Sequence, residues 1–203
     1  MSAPGRFGSD RIVAFSDGVV AIAITILLLP LADLQTHDGQ VLTLLRTNSQ
    51  LLWGLSLTWV IIAVFWFAHH RMFARIVAVD KTVLWLNFAW LFAIALLPLP
   101  TNIVVENEPS PQVTGFYTGW MALISMIMTA IALHVDRTPG LLDEHIADTQ
   151  NARTARVRAL LISGVFLLSF LVALVLPDIA TFVLLSMFFV DPVVQRLTRR
   201  HTG

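Results

Sequence analysis

The chain has 203 residues, of which 57% are hydrophobic and only 13% are charged, against about 25% charged in a typical soluble domain. This composition predicts an all-α polytopic membrane protein. The 13 basic and 13 acidic residues cancel to a net charge of zero, which gives no basic footprint for nucleic acid. Cysteine is absent, which excludes disulfides, thiolate metal sites and thiol catalysis.

Six apolar segments along the chain are interpreted as transmembrane helices. We expect a single six-helix transmembrane domain over residues 1–203, with spans at about 12–31, 51–68, 82–99, 116–133, 159–176 and 179–194. Pro177 and Asp178 separate the last two spans and predict a tight turn that includes a helix N-cap.

The distribution of basic residues predicts that both termini are cytoplasmic. Cytoplasmic loops of membrane proteins carry an excess of Lys and Arg. With six spans and a cytoplasmic N-terminus, Arg46 is the one basic residue that falls outside. The basic residues that then fall inside are Arg6, Arg11, Arg71, Arg75, Lys81, Arg137, Arg153, Arg156, Arg158, Arg196, Arg199 and Arg200.

The first span carries unusual polar groups in its first two turns, namely Arg11, Ser16 and Asp17. A carboxylate at the centre of a membrane helix costs roughly 2.5–3.5 kcal/mol on insertion scales, so it is rarely present by accident. Beyond these turns, residues 18–29 contain Thr25 as their one polar side chain.

Polar residues of the second and third spans fall at a similar depth. The second span ends in Trp66, His69 and His70, and the third carries Asn87 about 8 Å from its start at 1.5 Å per residue. Unpaired polar groups in hydrocarbon cost several kcal/mol. We therefore expect a polar network that joins the base of the first span to the second and third and fixes the rotation of the first helix.

Helical spacing places Gly18, Ile22, Thr25 and Leu29 on one stripe of the first span. If the stripe faces lipid, the hydroxyl of Thr25 is satisfied by a carbonyl of its own helix. If it faces a symmetry axis, several subunits would stack rings of isoleucine, threonine and leucine, and apolar rings of this kind can gate a pore by dewetting. The second interpretation requires an oligomer.

The stretch Arg11-x-x-x-Phe15-Ser16-Asp17 resembles the signature of the transmembrane protein 175 family, which comprises endolysosomal potassium channels and their bacterial homologues. The signature is complete here, and it lies at the expected inner start of the first span.

Two further segments resemble the same family. They are Trp66-x-x-His69-His70 at the end of the second span, and the third span with Asn87 and its terminal Leu-Pro-Leu-Pro-Thr at 97–101. The resemblance covers about the first half of the chain, residues 11–101, while the second half matches in helix count alone.

The resemblance implies a homotetramer in a bacterial plasma membrane, with a central pore lined by the first helix of each subunit. It implies a potassium-preferring cation channel in which K⁺ is the permeant ion and no cofactor is needed. The constriction would be an apolar ring at Ile22, with Thr25 tuning selectivity and Leu29 continuing the stripe.

The resemblance also implies structural roles for Arg11, Phe15, Ser16 and Asp17, which would pack against and bond to the second and third helices. The partners expected there are Trp66, His69, His70 and Asn87.

Two other functions remain open from the residues alone. A proton-conducting or proton-coupled transporter would use Asp17 with His69 and His70, since intramembrane carboxylates often relay protons. An intramembrane enzyme is the weakest alternative, because no set of nucleophile, base and metal ligands is evident. We therefore expect neither enzymatic activity nor a metal site.

Overall fold

A computed structural model describes residues 9–35, 39–142 and 150–190, and the regular structure in these ranges is helical. The helices are α1 (Ser9–Leu27), α2 (Val41–Thr47), α3 (Ser49–Phe73), α4 (Lys81–Ala95), α5 (Pro98–Glu106), α6 (Pro111–Arg137), α7 (Gln150–Ala173) and α8 (Pro177–Leu185), with 3₁₀ segments at Leu29–Asp33 and Ser186–Phe189. Arg6, Arg196, Arg199 and Arg200, which the orientation prediction counts as cytoplasmic, lie outside the described residues.

Five segments are long and apolar enough to cross a membrane by length and composition. They are Ser9–Asp33, Ser49–Phe73, Lys81–Glu106, Pro111–Arg137 and Arg156–Ala173. The chain is therefore a polytopic helical membrane protein. The predicted sixth span begins as α8 and continues as 3₁₀ helix, and its last four predicted residues, 191–194, lie outside the described ranges.

Several predicted helix bounds differ from those observed. The second span begins at Ser49 rather than at residue 51. It also continues past residue 68 to Phe73, because the histidines and Arg71 at its end belong to the helix. The α-helix of the first span ends at Leu27 rather than residue 31, since Pro30 cannot donate to the helical ladder and the chain tightens to 3₁₀ geometry.

The third span breaks where its prolines begin, and the apolar segment continues to Glu106, beyond the predicted end at residue 99. Helix α4 ends at Ala95, and α5 starts at Pro98, a position in the first turn that needs no N–H donor. The Leu97 N–H bonds to the Ile94 carbonyl at 3.1 Å instead of to Ala93. The freed Ala93 carbonyl accepts the indole N–H of Trp120 from α6 at 2.9 Å. A backbone group that would be unsatisfied in hydrocarbon is thereby paired.

The main core lies between α6 and its neighbours α4, α5, α7 and α8, with α1 and α3 packed on the side of α4 and α5. Helix α3 approaches α5 closely at Gly54, where a Cβ atom would collide with Val105. Helices α6 and α7 meet at Gly119, where a Cβ atom would lie 3.0 Å from the ring of Phe170. Small residues of this kind let membrane helices approach.

The loop before α4 packs against the loop after α6 at one end of the bundle. The Val77 N–H bonds to the Leu141 carbonyl at 2.9 Å. Asp80 caps α4 by accepting the Val83 N–H at 2.8 Å, and the His134 Nε2–H donates to its other oxygen at 2.8 Å. Partial burial alone would raise the pKa of Asp80, but these hydrogen bonds hold it below its ordinary value.

The turn between α7 and α8 differs in detail from its prediction. Pro177 occupies the first turn of α8 and Leu176 is the N-cap residue, so Asp178 lies within the helix and does not cap it. The Ser169 hydroxyl donates to the Ala180 carbonyl at 2.7 Å, which ties the two helices together.

Candidate functional site

Helix α1 has one buried face and one exposed face. Ser16, Val20, Ala23 and Leu27 are buried, at steps of four, three and four residues. This face packs against α3, α4 and α5. The arrangement fixes which side of α1 is left uncovered by its own subunit.

A directional chain of hydrogen bonds joins α1, α3 and α4. The His69 Nε2–H donates to the Asn87 Oδ1 at 2.7 Å, and the Asn87 amide donates to the Ser16 Oγ at 3.1 Å. The Ser16 hydroxyl donates in turn to the Ile12 carbonyl at 2.8 Å. The amide orientation and the imidazole tautomer follow from this network, because each oxygen must face a donor.

The His69 ring is buried between two aromatic rings. It stacks on Phe73 at a centroid distance of 4.3 Å and on Trp90 at 4.5 Å. Its Nδ1 atom is buried and has no hydrogen-bond partner among the described residues. Because Nε2 carries the proton, the unmatched atom is an acceptor lone pair. The structure thus places His69 inside the helix interface.

Asp17 and His70 lie beside the same tryptophan. The Trp66 indole N–H donates to the Asp17 Oδ1 at 2.7 Å, and the Trp66 ring lies 5.5 Å from the exposed His70 ring. Within the described residues, no hydrogen bond joins Asp17 to His69.

Arg11 and Phe15 lie on the exposed side of α1. Phe15 packs edge-on against Phe88 of α4 at 6.1 Å between ring centroids. In the part of the chain that the structure describes, no salt bridge reaches Arg11. The structure therefore brings Ser16, His69 and Asn87 together and pairs Asp17 with Trp66, and it leaves Arg11 outside these contacts.

The predicted stripe coincides with the exposed face of α1. Gly18 and Thr25 are exposed, Ile22 is 60% exposed, and Leu29 is 63% exposed although it lies in the 3₁₀ turn rather than the α-helix. No atom lies within 4 Å of the Cβ position of Gly18. The Thr25 hydroxyl donates to the Ala21 carbonyl at 2.9 Å, which leaves the lone pairs of its oxygen facing outward.

A second buried polar cluster was not anticipated from the sequence. The Thr58 hydroxyl donates to the Gly54 carbonyl at 2.9 Å and accepts from the Tyr117 hydroxyl, also at 2.9 Å. Thr101 lies 3.4 Å from Thr58 and donates to the Leu97 carbonyl. The one tyrosine of the chain, placed within an apolar span, is the signal that could have revealed this cluster.

Among the residues that the structure describes, no group of three His, Asp or Glu side chains could hold a metal ion.

Comparison with known proteins assigns the chain to a family. The family model of the endosomal/lysosomal potassium channel TMEM175 matches residues 11–98. A Streptomyces collinus protein named as a potassium channel is 31% identical over 158 residues, which cover 74% of this chain and 75% of that protein. A Chamaesiphon minutus protein with the same kind of name is 29% identical over 161 residues, covering 73% and 78%.

A vertebrate relative carries a different functional name. The chicken endosomal/lysosomal proton channel TMEM175 is 28% identical over 148 residues, which cover 70% of this chain but 29% of that longer protein. Among solved structures, the crystal structure of a lysosomal potassium-selective TMEM175 homologue from Chamaesiphon minutus matches with a TM-score of 0.75 at 20% identity, covering 92% of this chain and 97% of that one.

The fold defines a multi-pass helical membrane protein. The relatives define its family more closely, and the chain belongs to the TMEM175 family of channels. It is therefore a member of a channel family and not an enzyme.

Proposed function

We propose that this chain forms a potassium-preferring cation channel in the bacterial plasma membrane. Four copies assemble around an axis lined by α1, and K⁺ passes at a constriction formed by Ile22. The distribution of basic residues supports a cytoplasmic position for both termini under the positive-inside rule.

The observation that carries this proposal is the contrast between the two faces of α1. One face is buried and bonded through Ser16, while the opposite stripe of Gly18, Ile22 and Thr25 is uncovered by the subunit's own helices. A helix held at a fixed rotation presents the same stripe in every copy, so symmetry-related copies would enclose aligned rings.

The chemistry of the stripe fits ion passage. A ring of isoleucines blocks or permits conduction by excluding or admitting water. The Thr25 hydroxyl proton is engaged by Ala21, so its oxygen can face a cation as a ligand. The bacterial relatives named as potassium channels support K⁺ as the permeant ion.

Flux from proteoliposomes tests the proposal. The protein is reconstituted into vesicles with a K⁺ gradient, and ion movement is followed with a fluorescent probe. We expect flux above that of empty vesicles, a higher rate in Ile22→Asn, and a blocked pathway in Ile22→Trp. The matched control is Ile179→Asn on α8, an isoleucine that is 51% exposed away from α1.

Two outcomes contradict the proposal. One is a flux no higher than that of empty vesicles, and the other is a flux that Ile22 and Ile179 substitutions leave equally unchanged. A Thr25→Val variant refines the result, because loss of the oxygen ring should lower the ratio of K⁺ to Na⁺ flux while conduction persists.

Proton conduction is the second candidate, and the name of the chicken relative favours it. Asp17 would be the proton-exchanging group, with His69 and His70 nearby. An acid-driven pH change inside the vesicles that disappears in a folded Asp17→Asn variant, while K⁺ flux persists, would support this candidate. Equal proton flux in both proteins would exclude Asp17 as the proton-exchanging group, and no proton flux in the parent protein would exclude this candidate.

A further inference from the structure

A cleft of about 700 Å³ lies between α3 on one side and α6 and α7 on the other. Its α3 wall runs from Trp59 to Met72, about 20 Å at 1.5 Å per residue, and Arg75 follows just beyond the end of the helix. Half of a bilayer's hydrocarbon core is about 15 Å thick, so the cleft is long enough for an acyl chain of one leaflet. None of the α1 residues lines this cleft, so it is separate from the exposed stripe.

The cleft changes character along its length. Toward its middle the walls are mostly apolar, with residues such as Val64, Met128 and Ile162. The hydroxyls of Ser125 and Thr129 also lie there, and both are hydrogen-bonded to the Ser163 hydroxyl. At the end near the last turn of α3, the described lining contains the side chains of Arg71, Arg75, Arg156 and Arg158, together with one carboxylate, that of Asp136. An apolar groove that ends in guanidinium groups matches an amphiphile with an anionic head.

Two observations concern the charges at this end. Arg156 donates to the Asp136 carboxylate at 2.9 Å, so that carboxylate is already neutralised. Within the ranges that the structure describes, the Nε atom of Arg75 is buried with no hydrogen-bond partner. A buried guanidinium N–H without an acceptor is costly, and a phosphate oxygen is an acceptor that guanidinium groups bind well.

We infer that this cleft binds one anionic phospholipid of the cytoplasmic leaflet, with an acyl chain between α3 and α6 and its phosphate at Arg75. The three helices that form the cleft are membrane-spanning, so its occupant comes from the bilayer. The choice of leaflet depends on the orientation proposed above. Lipid binding does not depend on ion conduction, so either proposal can fail while the other stands.

Native mass spectrometry of the detergent-solubilised protein tests the inference. Phosphatidylglycerol and phosphatidylcholine with identical acyl chains are titrated separately. We expect tighter binding of phosphatidylglycerol, a loss of about fivefold in its affinity in Arg75→Gln, and retention in Arg75→Lys, as expected for one guanidinium near a lipid phosphate. The matched control is Arg137→Gln, an exposed arginine at the same end of α6 that does not line the cleft.

A second pair of variants tests the apolar part of the cleft. Ala132→Phe fills the groove and should weaken binding of phosphatidylglycerol, whereas Ala130→Phe, on the exposed side of the same helix, should not. Gel-filtration elution of every variant is checked against the parent protein. If Arg75→Gln misfolds, Arg75→Lys and the alanine pair still decide the result.

Four outcomes overturn the inference. The first is equal binding of the two lipids, and the second is an Arg75→Gln variant with full affinity for phosphatidylglycerol. The third is displacement of phosphatidylglycerol by millimolar inorganic phosphate together with unchanged binding in Ala132→Phe, which would indicate a site for a free anion. The fourth is dissociation of the oligomer in Ala132→Phe but not in Ala130→Phe, which would indicate that a second copy of the chain occupies the cleft.

Discussion

Two buried polar clusters hold the helices together in different ways. One cluster, formed by Ser16, His69 and Asn87, joins α1, α3 and α4, and we call its part of the bundle the motif end. The other cluster, formed by Thr58, Thr101 and Tyr117, joins α3, α5 and α6, and we call its part of the bundle the far half.

The clusters differ in whether their side chains also have a hydrogen-bond partner on their own helix. Both threonines of the far half donate to carbonyls of their own helices, so they remain satisfied if a neighbour is lost. The Asn87 amide and the His69 imidazole have their partners on other helices. The motif end therefore specifies one arrangement of helices, whereas the far half tolerates change in its polar contacts and depends more on close packing.

The largest effect should follow from Asn87→Leu. This substitution removes both hydrogen bonds of the amide and leaves the His69 Nε2–H buried without an acceptor, so we expect a loss of about 2–3 kcal/mol in the free energy of unfolding. Titration from dodecyl maltoside into sodium dodecyl sulfate measures it. Asn102→Leu, at a partly exposed site in α5, is the control, and equal losses in the two variants would refute the special role of the motif end.

A smaller loss, about 1–3 kcal/mol, is expected for Gly54→Ala in the far half. The new methyl group would meet Val105, and α3 and α5 would have to separate. Gly164→Ala provides the comparison, because nothing lies within 4 Å of its Cβ position and alanine favours the helix. A Gly54→Ala protein as stable as Gly164→Ala would show that close packing does not limit this half.

Tyr117→Phe should cost about 0.6 kcal/mol, the average for an interhelical hydrogen bond in a membrane protein. Thr58 keeps its bond to the Gly54 carbonyl, so no buried donor is stranded. The same detergent titration applies. A loss as large as that of Asn87→Leu would remove the distinction between the two clusters.

The smallest effect concerns acid, at the loop before α4. Because the folded state lowers the pKa of Asp80, its contribution to stability is full above the ordinary aspartate value and is lost as pH falls through the folded-state value. We expect thermal stability of the parent protein to fall on acidification below about pH 4. The pH series is repeated with Asp80→Asn, in which this part of the fall should be absent. Identical profiles for the two proteins would contradict the assignment.

Much of the fold follows from hydropathy, because a membrane span must be long, apolar and internally bonded. The exact ends do not, since hydropathy does not register helix extension beyond the apolar run, as α3 shows at Phe73. The break before Pro98 was readable from the prolines, but its repair by Trp120 was not, because that contact depends on how α6 rotates against α4.

The site was predictable to a similar degree. Depth and polarity grouped Ser16, His69 and Asn87, since all three lie at comparable heights in their spans. The pairing of Asp17 with Trp66 was not predictable, because spacing along one helix does not determine its rotation against another. Because of the same limit, the residues alone leave both the lipid-facing and the axis-facing interpretations of Ile22 open.

The break before Pro98 divides the third span into two short helices that are held by different neighbours. The Trp120 indole bonds the end of α4 to α6, and the close approach of Gly54 to Val105 packs α5 against α3. The hydrogen bonds of Trp120 and Asn87 therefore connect α6 to α4 and α4 to α1. The central helix of the subunit is thus linked through α4 to the helix that carries the exposed stripe.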